Sequence, residues 1–265
     1  MVEKKEKIAP LDLVKIMDAK KLLENNSFAF KVGNFFGHSI TAMGRVLPES
    51  VRKKSMEATI QALEKSWEYS LKTMSEPDQP PAPNHRHTAY ALVSGAIGGV
   101  GVITLFIELP ITTIIMVRSI ADIARSFGEN YHEIGTKYAC LEVFAFGDDV
   151  LDEETGDVGY YATRAALTNS FEDSSIYIAQ KGVAGMGAPL IAQIITKIAI
   201  HYQRVIAVAL TTKLVPIVGA IMGASINYLF IEHFQEKAMG HFTIRQMERK
   251  YGFQAVKQAY GKLNI

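Results

Sequence analysis

Glu108, Arg118 and Asp122, near the middle of the chain, are the residue types that acid–base chemistry beside an anion requires. The glutamate would serve as general base and the arginine would hold a developing negative charge, if the three met at the mouth of an apolar pocket. Arg118, Asp122, Arg125 and Glu129 follow at i, i+4, i+7 and i+11, one helix face of alternating sign. Two readings stay open: a solvated ion-pair face, or an internal polar network in which Glu108 neutralises an arginine. The sequence offers no nucleophile beside a base. The single cysteine, Cys140, lies in an apolar run and reads as a core residue. The patterns HExxH, GxSxG and GxxxxGK[ST] do not occur, and Gly99-Val100-Gly101 has no preceding strand to make it a dinucleotide loop.

Other polar groups point to binding. Asn227 sits in an otherwise apolar segment, where its amide either is satisfied locally or reaches toward Glu108. From Glu236 to Lys262 there are six basic and two acidic residues, with Phe242, Tyr251, Phe253 and Tyr260 interleaved. Arg245, Arg249 and Lys250 are the core of that stretch, which suits an anionic lipid surface or an ordinary amphipathic helix with snorkelling lysines. Residues 148–157 (DDVLDEETGD) carry six acidic groups without EF-hand spacing and read as a solvated loop. His85 and His87 have no cysteine or carboxylate at ligand spacing, so no metal site and no cofactor are expected.

Helices must position these groups. Pro48 stands where a first helical residue belongs, and Met56, Ile60, Leu63, Trp67, Leu71 and Met74 then make one apolar stripe of about 25 residues. Ser75–His87 holds four of the nine prolines and reads as a stiff connector. Thr88–Ile107 is uncharged for twenty residues, long enough to span a bilayer core, and meets Glu108-Leu109-Pro110. A new helix is expected from Pro110 to about Phe127, with Gly128 as its stop and Glu108 just ahead of its first turn. Gly182–Ile200 and Leu214–Ile231 are two further apolar segments. Small residues recur four apart in this part of the chain: Ala91, Gly95 and Gly99, then Gly219 with Gly223 and Ala220 with Ala224. That spacing lets helix backbones approach closely. No strand-like alternation persists.

The 265 residues carry a net charge of +1, with 48% hydrophobic and 21% charged content. Such balance argues against a dedicated nucleic-acid binder. A mean hydropathy of +0.10 lies between soluble and polytopic membrane usage. One cysteine suits a reducing compartment, and the mixed-charge start lacks a signal-peptide core.

From Glu108 onward four runs resemble the EcsC family of bacterial proteins. They are ELPITTIIMVRSIADIARSFGE (Glu108–Glu129), CLEVFAFG (Cys140–Gly147), KLVPIVGAIMGASINYLF (Lys213–Phe230) and HFTIRQMERKYG (His241–Gly252). Glu108 stands where the family pattern commonly has aspartate. The resemblance implies a mostly helical bacterial protein of a family named for its link to an ABC-transporter operon, and it implies no established reaction.

The expectation is an all-α, multi-helix bundle with buried glycine-rich apolar helices, read as amphipathic helices over 1–76, a loop over 77–87 and a helical core over 88–265. The expected function is a non-catalytic interaction protein at the membrane. It would sit in the cytoplasm and reach the inner face of the cytoplasmic membrane, docking on anionic lipid or a membrane complex. A soluble hydrolase built on Glu108, Arg118 and Asp122 is the alternative.

Overall fold

The computed structural model describes residues 7–24, 27–36, 48–73, 102–130, 133–146, 159–167, 187–213 and 220–263. The fold is all-α, and no strand occurs among the described residues. Its helices are α1 (Pro10–Glu24), α2 (Phe28–Phe36), α3 (Glu49–Thr73), α4 (Val102–Ser126), α5 (Ile134–Glu142), α6 (Gly187–Lys213), α7 (Ala220–Tyr251) and α8 (Phe253–Lys262). A 3-10 turn, Val143–Ala145, extends α5, and residues 160–167 are also helical.

The mast of the molecule is α7, whose 32 residues run about 48 Å at the usual helical rise. Two hydrophobic clusters form along it. The larger joins α3, α4, α6 and the first half of α7 around Phe144, Tyr202, Phe230 and Phe234, whose rings meet at 4.7–5.9 Å. The smaller joins α1, α8, Phe146, Tyr160 and the second half of α7 around Ile16, Ile244, Met247 and Tyr260.

The helix over Glu49–Thr73 runs 25 residues as its stripe predicts, with Pro48 one position outside and its carbonyl accepting from Val51 and Arg52. Its innermost line is polar and small: Ser55, Thr59, Ala62 and Ser66 are fully buried. Small side chains let α3 sit close to α4 and α6. Thr59 Oγ1 donates to Gln203 Oε1 at 2.9 Å and Gln203 Nε2 donates to Ser55 Oγ at 2.7 Å, so the buried polar atoms are mutually satisfied.

One boundary differs from the sequence expectation. No turn occurs at Glu108-Leu109-Pro110: α4 begins at Val102 and carries Pro110 inside it. Proline as a helix starter is a good local rule, but here the residues before Pro110 are already helical and Leu109 is buried. At the other end the expectation stands. Gly128 adopts φ +79°, and Gly128 N–H and Glu129 N–H donate to the Arg125 and Ala124 carbonyls, a Schellman closure.

The close-approach glycine of the described structure is one that spacing did not single out. A Cβ on Gly240 of α7 would fall 2.8 Å from Leu23 Cγ and 3.0 Å from the Ala19 carbonyl oxygen, so its absence lets α1 lie on α7. Gly95, Gly99 and Gly219 lie outside the described residues, and Gly223 is in the first turn of α7. No described helix is long and apolar enough to cross a membrane.

Candidate functional site

The ion pairs of Asp12, Glu129, Glu142 and Glu248 gather around the second half of α7. The Schellman turn after α4 carries Glu129 to α7, where Arg245 grips it with two bonds of 2.9 Å and Arg249 adds a third. Burial opposes ionisation of Glu129, yet the two guanidinium groups hold its carboxyl below the ordinary value. Lys250 and Tyr251 donate to Asp12 at 2.8 and 2.7 Å and Lys15 donates at 2.8 Å, which keeps that carboxyl far below the usual range. Arg245, Arg249 and Lys250 thus tie the end of α7 to α4 and α1.

Deeper in lies a group that the sequence reading missed. Glu142 at the end of α5 is 2% exposed and His241 of α7 is 0% exposed, with His241 Nε2 3.7 Å from Glu142 Oε2. Glu142 Oε1 and His241 Nε2 make no hydrogen bond among the described residues. The other ring nitrogen, Nδ1, is 2.9 Å from the Tyr160 hydroxyl. Arg164, one helical turn after Tyr160, donates to that hydroxyl at 3.3 Å and to both Glu248 oxygens at 2.7 and 2.8 Å. Tyr161 donates to Glu248 at 3.0 Å. Residues 160–167 are therefore clasped to α7 by three polar side chains. The rings of Phe146 and Tyr260 flank the clasp, 5.0 Å from His241 and 5.7 Å from Tyr160 respectively.

Burial pushes the Glu142 carboxyl up to about 7, against the pull of Arg164 and Arg245. Burial and the same two arginines push His241 well below its ordinary value. The pair is thus an acid and an imidazole that both prefer to be neutral. Cys140, two residues before Glu142, is fully buried with its thiol pushed up by desolvation, the opposite of an activated nucleophile.

The opposite end is apolar. A small cleft there is lined by Leu109, Thr112, Ile206, Ala209, Ile226, Asn227 and Phe230. Asn227 is its most polar lining group and is buried. Ile111 and Tyr228, next in sequence to the lining residues Thr112 and Asn227, are 54% and 40% exposed. Below the cleft, Thr113 Oγ1 lies 3.1 Å from the Tyr202 hydroxyl and also donates to the Leu109 carbonyl.

The three residues proposed for acid–base work do not come together. All stand on one continuous helix, where Glu108 and Arg118 are about 15 Å apart along the axis and Glu108 and Asp122 about 21 Å. Arg118 is half-buried, and Asp122 is buried 3.7 Å from Arg125 Nη1. The side chain of Glu108, the acidic run 148–157, the proline connector and His85 and His87 lie outside the described residues. Among the described residues no group of three or more His, Cys, Asp or Glu side chains is arranged to hold a metal ion. The clasp could have been suspected from His241 in HFTIRQMERKYG, which falls one turn before Arg245 and two before Glu248. Its partners Glu142 and Tyr160 are too distant in sequence for spacing to connect.

Comparison with known proteins gives one match: the model of the EcsC protein family covers residues 3–247. No curated protein and no solved structure matches the chain.

Proposed function

Since the chain belongs to the EcsC protein family, we propose that it is a non-catalytic interaction protein. It would dock on a membrane surface or membrane complex through the apolar end of its bundle. The observation that carries this reading is the segregation along α7. The start of α4, the end of α6 and the start of α7 meet around the cleft at Leu109 and Phe230, and Ile111 and Tyr228, next in sequence to lining residues, are exposed. Exposed large apolar side chains grouped at a cleft are what a docking surface presents.

In sequence, the apolar stretch Thr88–Ile107 directly precedes Glu108-Leu109, and Leu214–Ile231 contains Ile226, Asn227 and Phe230. The basic residues of the C-terminal stretch are a weaker docking element, because Arg245, Arg249 and Lys250 are engaged with Glu129 and Asp12. Docking by this route is hydrophobic in the main and changes little with salt, unlike adsorption of a polybasic face. Cell fractionation of the untagged protein followed by a carbonate wash tests the reading. Pelleting with membranes and release by the wash supports it, and a protein wholly in the soluble fraction refutes it.

A further inference from the structure

We propose that Glu142 and His241 form a one-proton clasp: while the pair holds a single proton, Tyr160 keeps residues 160–167 on α7, and a second proton releases them.

The argument starts from geometry. Both groups are buried, their facing atoms are 3.7 Å apart, and His241 Nδ1 is committed to Tyr160. A proton on Glu142 leaves both partners neutral. A second proton must go to His241 and place an imidazolium where Arg164 and Arg245 already act against it. The carboxylates that face those arginines are already engaged: Glu248 by Arg164 and Tyr161, Glu129 by Arg245 and Arg249. The remaining titratable neighbours include Tyr138 of α5 beside Glu142, and Tyr260 of α8 with Glu24 of α1 behind Tyr160, Glu24 being paired with Lys20. A phenol or a distant carboxylate does not neutralise a buried imidazolium at Nε2, so the added charge repels Arg164, which belongs to the clasped segment.

The pH dependence follows from where the proton sits. In the closed pair it is on Glu142, raised to about 7, while His241 stays neutral. When residues 160–167 lift, the groups return toward their ordinary values of 4.5 and 6.5. Between those values the open pair also holds one proton, now on His241, so opening neither takes up nor releases a proton. Only below about 4.5 does the open pair bind a second proton and opening become favoured by acid. Glu142 is thus a positioning residue that keeps the clasp indifferent to pH across this window. Glutamine at 142 removes the holder. The open imidazole then takes a proton that the closed one refuses, from about pH 6.5 downward, and opening rises by up to about tenfold per pH unit.

Hydrogen exchange of the peptides covering 160–167 in the full chain, corrected for intrinsic rates, tests this. Wild type is expected flat from about pH 6.5 to about 4.5, Glu142→Gln to rise through that range, and Glu142→Gln/His241→Gln to become flat again. The double variant separates the clasp from mere damage, since damage does not restore pH independence. A rise in wild type, a flat Glu142→Gln, or a double variant that still rises overturns the proposal. Imidazole carbon shifts in wild type give a check that needs no variant. His241 staying neutral well below its ordinary value of 6.5 is expected, and titration near 6.5 overturns it.

Discussion

The first half of α7, from Ile226 to Phe234, packs on aliphatic side chains and on the rings of Tyr202 and Phe144. The second half, from His241 to Tyr251, packs on arginines, carboxylates and tyrosines. Both halves are buried, yet one is held by shape and area and the other by directional bonds. Apart from the buried Asn227 and His233, the first accommodates apolar side chains of similar volume best. The second depends on each partner being present, because a buried charge that loses its mate is left in a poor solvent. A bundle built this way has one end that can give and one that is locked. Docking through the apolar end therefore need not disturb the contacts that hold α1, α8 and residues 160–167 in place.

Variants on each side sharpen the contrast. The largest effects should come in a matched pair. Phe234→Ala removes a fully buried ring packed on Phe144, Tyr202 and Phe230 and should cost about 3–5 kcal/mol in denaturant unfolding. Arg164→Ala removes the guanidinium from Glu248, leaving Tyr161 as its donor, takes a donor from Tyr160 as well, and should cost a similar amount. The two ends should part company on rescue. Phe234→Leu should recover much of the stability, while Arg164→Met, with similar apolar volume, should recover little so long as Glu248 remains charged.

Next in size, Gly240→Ala forces a methyl against Leu23 and the Ala19 backbone and should cost about 1–3 kcal/mol. The loss should appear first as faster amide exchange in α1, with the apolar end unchanged. Of similar size at most is the comparison at Glu129. Arg245→Ala removes two bonds from a nearly buried carboxylate and should cost about 1.5–3 kcal/mol, whereas Arg249→Ala, at a more exposed position, should cost less than about 1 kcal/mol. Equal effects from the two arginines would mean that the grip on Glu129 does not depend on burial.

Local features of the chain were more legible in the sequence than its long-range pairs, and the reason is range. Helical periodicity is a local signal, so the stripe from Met56 to Leu63 and the stop at Gly128 could be read directly. Pro110 misled because a local starter rule cannot see the packing of Leu109. The pairs Glu129–Arg245, Glu142–His241 and Lys250–Asp12 join residues about a hundred or more positions apart. Arg245, Arg249 and Lys250 stood out as a basic cluster, but nothing local shows that their partners are Glu129 and Asp12 rather than a lipid surface. The resemblance to the EcsC family was readable because it rests on runs of residues in order, and the match over 3–247 bears it out.

Flotation of the purified protein with liposomes, using wild type and Ile111→Glu, tests the central claim most directly. Ile111 is exposed next in sequence to the cleft residue Thr112, and a carboxylate there opposes burial in lipid without touching the polar end. Wild type should float with neutral and anionic vesicles alike and stay bound in high salt, and Ile111→Glu should remain with the soluble protein. Wild type that fails to float, or that floats only on anionic vesicles and is released by salt, would contradict docking on lipid through the apolar end.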